Sequence, residues 1–151
     1  MFQWMLVGES SMLLFSRGDL DISSSDSYSV LTISNVNATQ HGGVYRCVVS
    51  NAAGNDSDNG TLNVRPVITV QPAETLLTSN GSIEQLQCVA DAFPAPEYRW
   101  EKIEDGFLTT VSNTNILMFN PVMFGDEGSY QCVAVSLGVQ VNSTSSLVTG
   151  E

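Results

Sequence analysis

Apolar and polar residues alternate along this chain in short runs with a period of two, the spacing of strands. Phe2, Trp4 and Leu6 alternate with Gln3 and Met5, which predicts a half-buried strand. Residues 10–26 are rich in Ser and Asp and predict turns around two short strands, 12–15 and 20–22. Residues 29–36 place Leu31 and Ile33 on one face, and a strand from Gly43 to Asn51 follows. Residues 52–60 are expected to form a loop before a return strand over 61–64. Arg65-Pro66 is too short to act as a flexible tether, so a stiff end-to-end join is expected there. Residues 67–70 open a second set of strands, and Pro72 suits an edge. Leu86, Cys88 and Ala90 then share a face, and Tyr98 and Trp100 point inward with Arg99 outside. Residues 114–121 align without gaps on 29–36, which puts Ile116 and Met118 at the inward positions of Leu31 and Ile33. A turn at Leu137-Gly138 precedes a last strand over 139–148. Short strands separated by frequent turns predict an all-β sandwich architecture.

Two stretches share one pattern, Gly-x-Tyr-x-Cys: Gly43-Val-Tyr-Arg-Cys47 and, 85 residues later, Gly128-Ser-Tyr-Gln-Cys132. On a strand the Tyr and Cys of each copy point the same way, toward a core, and the residue between them faces out. A chain of 151 residues has room for two small β domains, and the repeat predicts two.

Cys88, Trp100 and Asp126-x-Gly128-x-Tyr130-x-Cys132 resemble an immunoglobulin-like domain. Phe-Pro-Ala-Pro before Trp100 and Ser50-Asn-Ala-Ala-Gly54 after Cys47 are most similar to the I-set of that superfamily. The resemblance implies two tandem immunoglobulin-like sandwiches: a partial domain over 1–65 that lacks its first strands, and a complete one over 66–151. It implies a disulfide between Cys88 and Cys132, with Cys47 left unpaired by truncation of its domain. Trp4, Tyr45, Trp100, Asp126 and Tyr130 are the core signature it implies. On that reading the chain is a fragment of a larger cell-surface or extracellular protein, with signal peptide and anchor outside it. His41, at the place of Asp126, is expected to be a tolerated turn residue.

Charge narrows the partners. Five Lys+Arg stand against 16 Asp+Glu, a net charge of −11, with no basic stripe for nucleic acid or anionic lipid. No apolar run is long enough for a membrane span, so direct membrane insertion is not expected. One histidine, no Gly-rich phosphate loop and no paired His/Cys spacing argue against an enzyme, and no cofactor is expected. Asp56-Ser-Asp58-Asn-Gly60 begins like a calcium loop, but the twelfth position is Val67, so a solvated acidic loop and no metal is the reading.

Five glycosylation sequons start at Asn37, Asn55, Asn59, Asn80 and Asn142. Sugars on Asn55 and Asn59 would cover the loop expected at 52–60, which directs attention to the outward face of the first domain's Trp and Cys strands. Met5, Val7, Val44 and Val48 form an apolar group there around Arg46, and Val133 and Val135 are the equivalents in the second domain. The expected function is therefore a non-catalytic adhesion or recognition module with a protein partner, homophilic or heterophilic. The resemblance also permits the ectodomain of a receptor tyrosine kinase or phosphatase. An intracellular structural array is disfavoured by the sequons and the spaced cysteine pair.

Overall fold

The computed structural model describes residues 1–8 and 10–150, and its contacts divide the chain into two compact units, Met1–Val64 and Arg65–Glu151. The first contains β1 (Phe2–Val7), β2 (Met12–Leu13), β3 (Leu20–Ser24), β4 (Ser29–Ile33), a one-turn helix α1 (Ala38–His41), β5 (Gly43–Asn51) and β6 (Gly54–Leu62). Strands β2-β1-β5-β6 form an antiparallel sheet, and β3-β4 form a second. Trp4 links the two: its Nε1 donates to Ser29 Oγ on β4 at 2.9 Å. The core of this unit is thin. Tyr45, Leu14 and Ala38 are buried, while Trp4, Leu31 and Ile33 are half-buried.

Residues 54–60 correct the expected loop. They belong to β6, which pairs with β5 over nine positions from Gly43↔Leu62 to Asn51↔Gly54. The turn is tightened by Asn51 Oδ1, which accepts from the backbone N–H groups of Ala53 at 2.8 Å and Gly54 at 3.2 Å. Gly-Asn-Asp-Ser-Asp-Asn-Gly has the composition of a loop; the ladder of β5 makes it a strand, because an unpaired edge offers backbone partners whatever the side chains.

The second unit follows as β7 (Val64–Val70), β8 (Thr75–Thr78), β9 (Glu84–Gln87), β10 (Val89–Phe93), β11 (Glu97–Glu104), β12 (Phe107–Ser112), β13 (Ile116–Phe119), a 3-10 turn (Phe124–Asp126), β14 (Gly128–Ser136), β15 (Val139–Asn142) and β16 (Ser146–Gly150). Arg65 and Pro66 lie within β7. One sheet runs β12-β11-β14-β16-β8 with β15 also on β14; the other strands pair as β10-β7 and β13-β9. Pro72, without an N–H to donate, is buried where the chain leaves β7 and passes to β8, which runs parallel to β16. The last strand expected over 139–148 is two strands, interrupted where Ser143 Oγ accepts from the Cys132 N–H at 2.9 Å.

Leu86, Cys88, Trp100, Leu117, Phe119, Val122, Tyr130, Cys132 and Val148 form the core. Cys88 and Cys132 are disulfide-bonded, with Cα atoms 6.3 Å apart. Closing a loop of 44 residues stabilises the unit by about 4 kcal/mol in the chain-entropy account. Leu117 and Phe119, and not Ile116 and Met118, point inward; Met118 is exposed. The slip has a local cause. In the first unit the chain turns after β4 through α1, with His41 N–H bonded to Asn37 O; in the second it turns through a 3-10 turn, with Asp126 N–H bonded to Met123 O. An α-turn holds one residue more than a 3-10 turn. The gapless alignment of 29–36 on 114–121 is therefore one residue out of phase.

Candidate functional site

Both units present the same scaffold. On it, Trp4 lies opposite Cys47 and Trp100 opposite Cys132. The glycine that opens each motif is set by a backbone conformation that other residues rarely adopt. Gly43 has φ +157° and a Cβ there would lie 2.9 Å from Leu6 Cδ1; Gly128 has φ +142° and a Cβ would lie 3.0 Å from Lys102 Cε. Tyr45 Oη donates to His41 O and Tyr130 Oη to Asp126 O, each at 2.7 Å. Burial raises the pKa of Tyr45, and burial, followed by the charges of Asp126 and Glu104, pushes Tyr130 up to about 12. His41 is more than a tolerated turn residue. It is buried, and its Nδ1 accepts from the Asn37 N–H at 3.1 Å, as Asp126 Oδ2 accepts from the Met123 N–H at 2.8 Å. Cys47 is a free, half-buried thiol.

What differs between the units is the outward face. In the first, Val7 pairs with Val44, Met5 with Arg46 and Gln3 with Val48, so Met5, Val7, Val44 and Val48 are brought together around one cation. All four are half-buried. Arg46 Nε donates to Asn59 Oδ1 on β6 at 2.9 Å, which holds the guanidinium across the strands.

The corresponding face of the second unit is polar. Arg99 Nε donates to Glu101 Oε1 at 2.7 Å and its terminal nitrogen to Gln140 Oε1 at 3.0 Å; Gln140 Nε2 donates to Asn142 Oδ1 at 2.9 Å, and Gln131 Nε2 to Ser143 O at 3.0 Å. Val133, expected to be an open outward valine, is fully buried, and Val135 is half-buried. Its neighbours across the ladder, Arg99 on β11 and Asn142 on β15, belong to this network. Arg99 and Glu101 at i and i+2 of a strand share a face, a signal that was present in the sequence and that the apolar count passed over.

Asn37 is the N-cap of α1, its Oδ1 accepting from the Gln40 N–H at 2.8 Å. Asn55 and Asn59 lie on β6 opposite Ser50 and Arg46, on the same outward face as the apolar group, and not on a separate loop tip. Asn80 is in a turn after β8, and Asn142 ends β15. Among the described residues no cluster of three or more His, Cys, Asp or Glu is arranged to hold a metal ion.

Residues 65–136 match the family described as "Immunoglobulin domain". Lachesin of Drosophila melanogaster is 32% identical over 133 residues, 84% of this chain and 37% of that protein. The basement membrane-specific heparan sulfate proteoglycan core protein of Mus musculus is 32% identical over 96 residues, 62% of this chain and 3% of that protein. A solved structure reported under Dscam isoform specificity superposes with a TM-score of 0.71 at 20% identity, over 99% of this chain and 37% of that one. The chain thus spans well under half the length of each of these proteins.

Proposed function

From the premise that the chain belongs to the immunoglobulin superfamily, we propose that it is a non-catalytic extracellular binding module for a protein partner, held on the outward face of β1 and β5. The observation that carries this reading is the contrast between two faces built on one ladder. Where the second unit closes its face with Arg99, Glu101, Gln140 and Asn142, the first presents Met5, Val7, Val44 and Val48 around Arg46. An apolar centre with one cation suits a protein surface that supplies apolar side chains and a carboxylate. Extracellular placement is supported by the Cys88–Cys132 disulfide, by the five sequons and by similarity to a basement-membrane protein. In this reading residues 1–65 and 66–151 act as successive immunoglobulin-like domains.

Asn55 and Asn59 sharing that face restrict how a partner docks. Sugars there would stand along β6, so the partner approaches from the β1 and β2 side. N-glycosylation of Asn59 uses Nδ2 and leaves Oδ1 free to keep its bond to Arg46. Val48→Asp places a carboxylate in the apolar group and is expected to weaken binding to partner-bearing cells, or self-association in sedimentation, by about tenfold or more. Binding unchanged by Val48→Asp would overturn the assignment of this face.

A further inference from the structure

The turn formed by Asn80, Gly81 and Ser82 is held by backbone bonds: Gly81 N–H donates to Val122 O at 2.9 Å, Ser82 N–H to Ser79 O at 3.0 Å, and Val122 N–H to Ser82 O at 2.8 Å. Ser82 Oγ is buried and has no hydrogen-bond partner. A buried hydroxyl left unpaired adds nothing to the stability of the turn. An Asn-x-Ser acceptor segment does need that oxygen, at the moment of modification and before the turn closes over it. The Asn80 side chain, by contrast, is exposed, whereas the acceptor nitrogens of Asn37 and Asn142 are engaged, each Nδ2 donating to a neighbouring glutamine, Gln40 and Gln131.

Asn80 also lines a pocket of about 150 Å³ with Thr78, Val122, Met123, Phe124 and Glu127. Phe124 is 81% exposed, more than any other large apolar side chain described. A pyranose has the complementary chemistry, with an apolar C–H face for the Phe124 ring and hydroxyl and amide donors for the Glu127 carboxylate, one of whose oxygens already accepts from the Gly150 N–H at 3.0 Å.

We propose that Asn80 carries an N-linked glycan and that its first N-acetylglucosamine lies in this pocket against Phe124. This rests on the extracellular reading above. The modification joins Asn80 Nδ2 to the anomeric carbon of a lipid-diphosphate-linked oligosaccharide. The C1–N bond forms, the C1–O bond to the diphosphate breaks, and the proton lost from Nδ2 leaves with the diphosphate. The sugar then covers apolar surface that the polypeptide leaves open, and its own polar edge meets Glu127.

The test uses the full chain secreted from eukaryotic cells behind an added leader, with the wild type, Asn80→Gln, Phe124→Ala and the double variant compared. Peptide mass mapping is expected to find sugar on Asn80, and Ser82→Ala to abolish it. Melting of the second unit is expected to fall by about 4 °C in Asn80→Gln, with that difference lost when Phe124 is already alanine. Asn80 bare while other sequons carry sugar would overturn the site and leave the extracellular reading standing. Bare asparagines at all five would remove both. An occupied Asn80 whose effect on melting is the same with and without Phe124 would overturn the contact.

Discussion

Tyr130 and Asp126 show how much a single position carries. The motif Gly-x-Tyr-x-Cys made the inward tyrosine legible, because strand parity alone sends Tyr and Cys to one face. It did not show where the hydroxyl goes, nor that His41 replaces a carboxylate as the acceptor for the cap N–H, since both depend on how the turn closes. The buried phenol yields a pH dependence. An unfolded tyrosine ionises near 10.0, whereas in the fold Tyr130 holds its proton up to about 12. Its stabilising contribution is fully present below pH 10 and is lost as pH rises through that window, because there the unfolded state has released its proton and the native state has not. Tyr45, also raised, acts in the same direction. Denaturant melts of the second unit should therefore weaken from about pH 10 to about pH 12. Tyr130→Phe should start about 1 kcal/mol lower for want of the bond to Asp126 O and show a flatter decline. A variant as steep as the wild type would place the titration elsewhere.

At the level of elements, legibility depended on whether the side chains or the neighbours decide the structure. Strands β1, β5, β11 and β14 carry their own alternation and were read with their inward faces correct. Strand β6 was missed because it contains no apolar residue before Leu62, and only the β5 ladder makes it a strand. Strand β13 was found but turned over, because one residue separates an α-turn from a 3-10 turn and a one-residue slip exchanges the two faces of a strand. The candidate face inherited the β6 error, since the sequons came out beside the apolar group; Val133 came out covered for a separate reason, the network of Arg99 and Asn142 across its ladder. The β13 correction can be measured. Leu117→Ala and Phe119→Ala are expected to cost about 2–5 kcal/mol each in denaturant melts, since both are buried in the core. Met118→Ala, with its side chain exposed, should stay within about 0.5 kcal/mol. The reverse order would restore the ungapped alignment.

At the scale of the whole molecule, the repeat describes two units of unequal strength. The second has nine clustered core residues and a disulfide; the first buries Tyr45, Leu14 and Ala38, leaves Trp4 half-buried and keeps Cys47 as a thiol. Each unit contains one of the two tryptophans, and each tryptophan sits opposite its motif cysteine, so indole fluorescence separates the units without dissecting the chain. In Trp100→Phe the remaining signal reports the first unit, and in Trp4→Phe it reports the second. Stability is set locally by buried apolar contacts, so the Trp4 signal should be lost at the lower denaturant concentration. Reductant should then act on one signal only. Opening Cys88–Cys132 restores the loop entropy of the unfolded second unit, and its midpoint should fall by the equivalent of about 2–5 kcal/mol, while the Trp4 transition, with no bridge to lose, stays in place. A Trp4 transition that moved with reductant would mean that Cys47 is bonded in solution, and a Trp100 transition that did not move would mean that the bridge contributes nothing to the second unit.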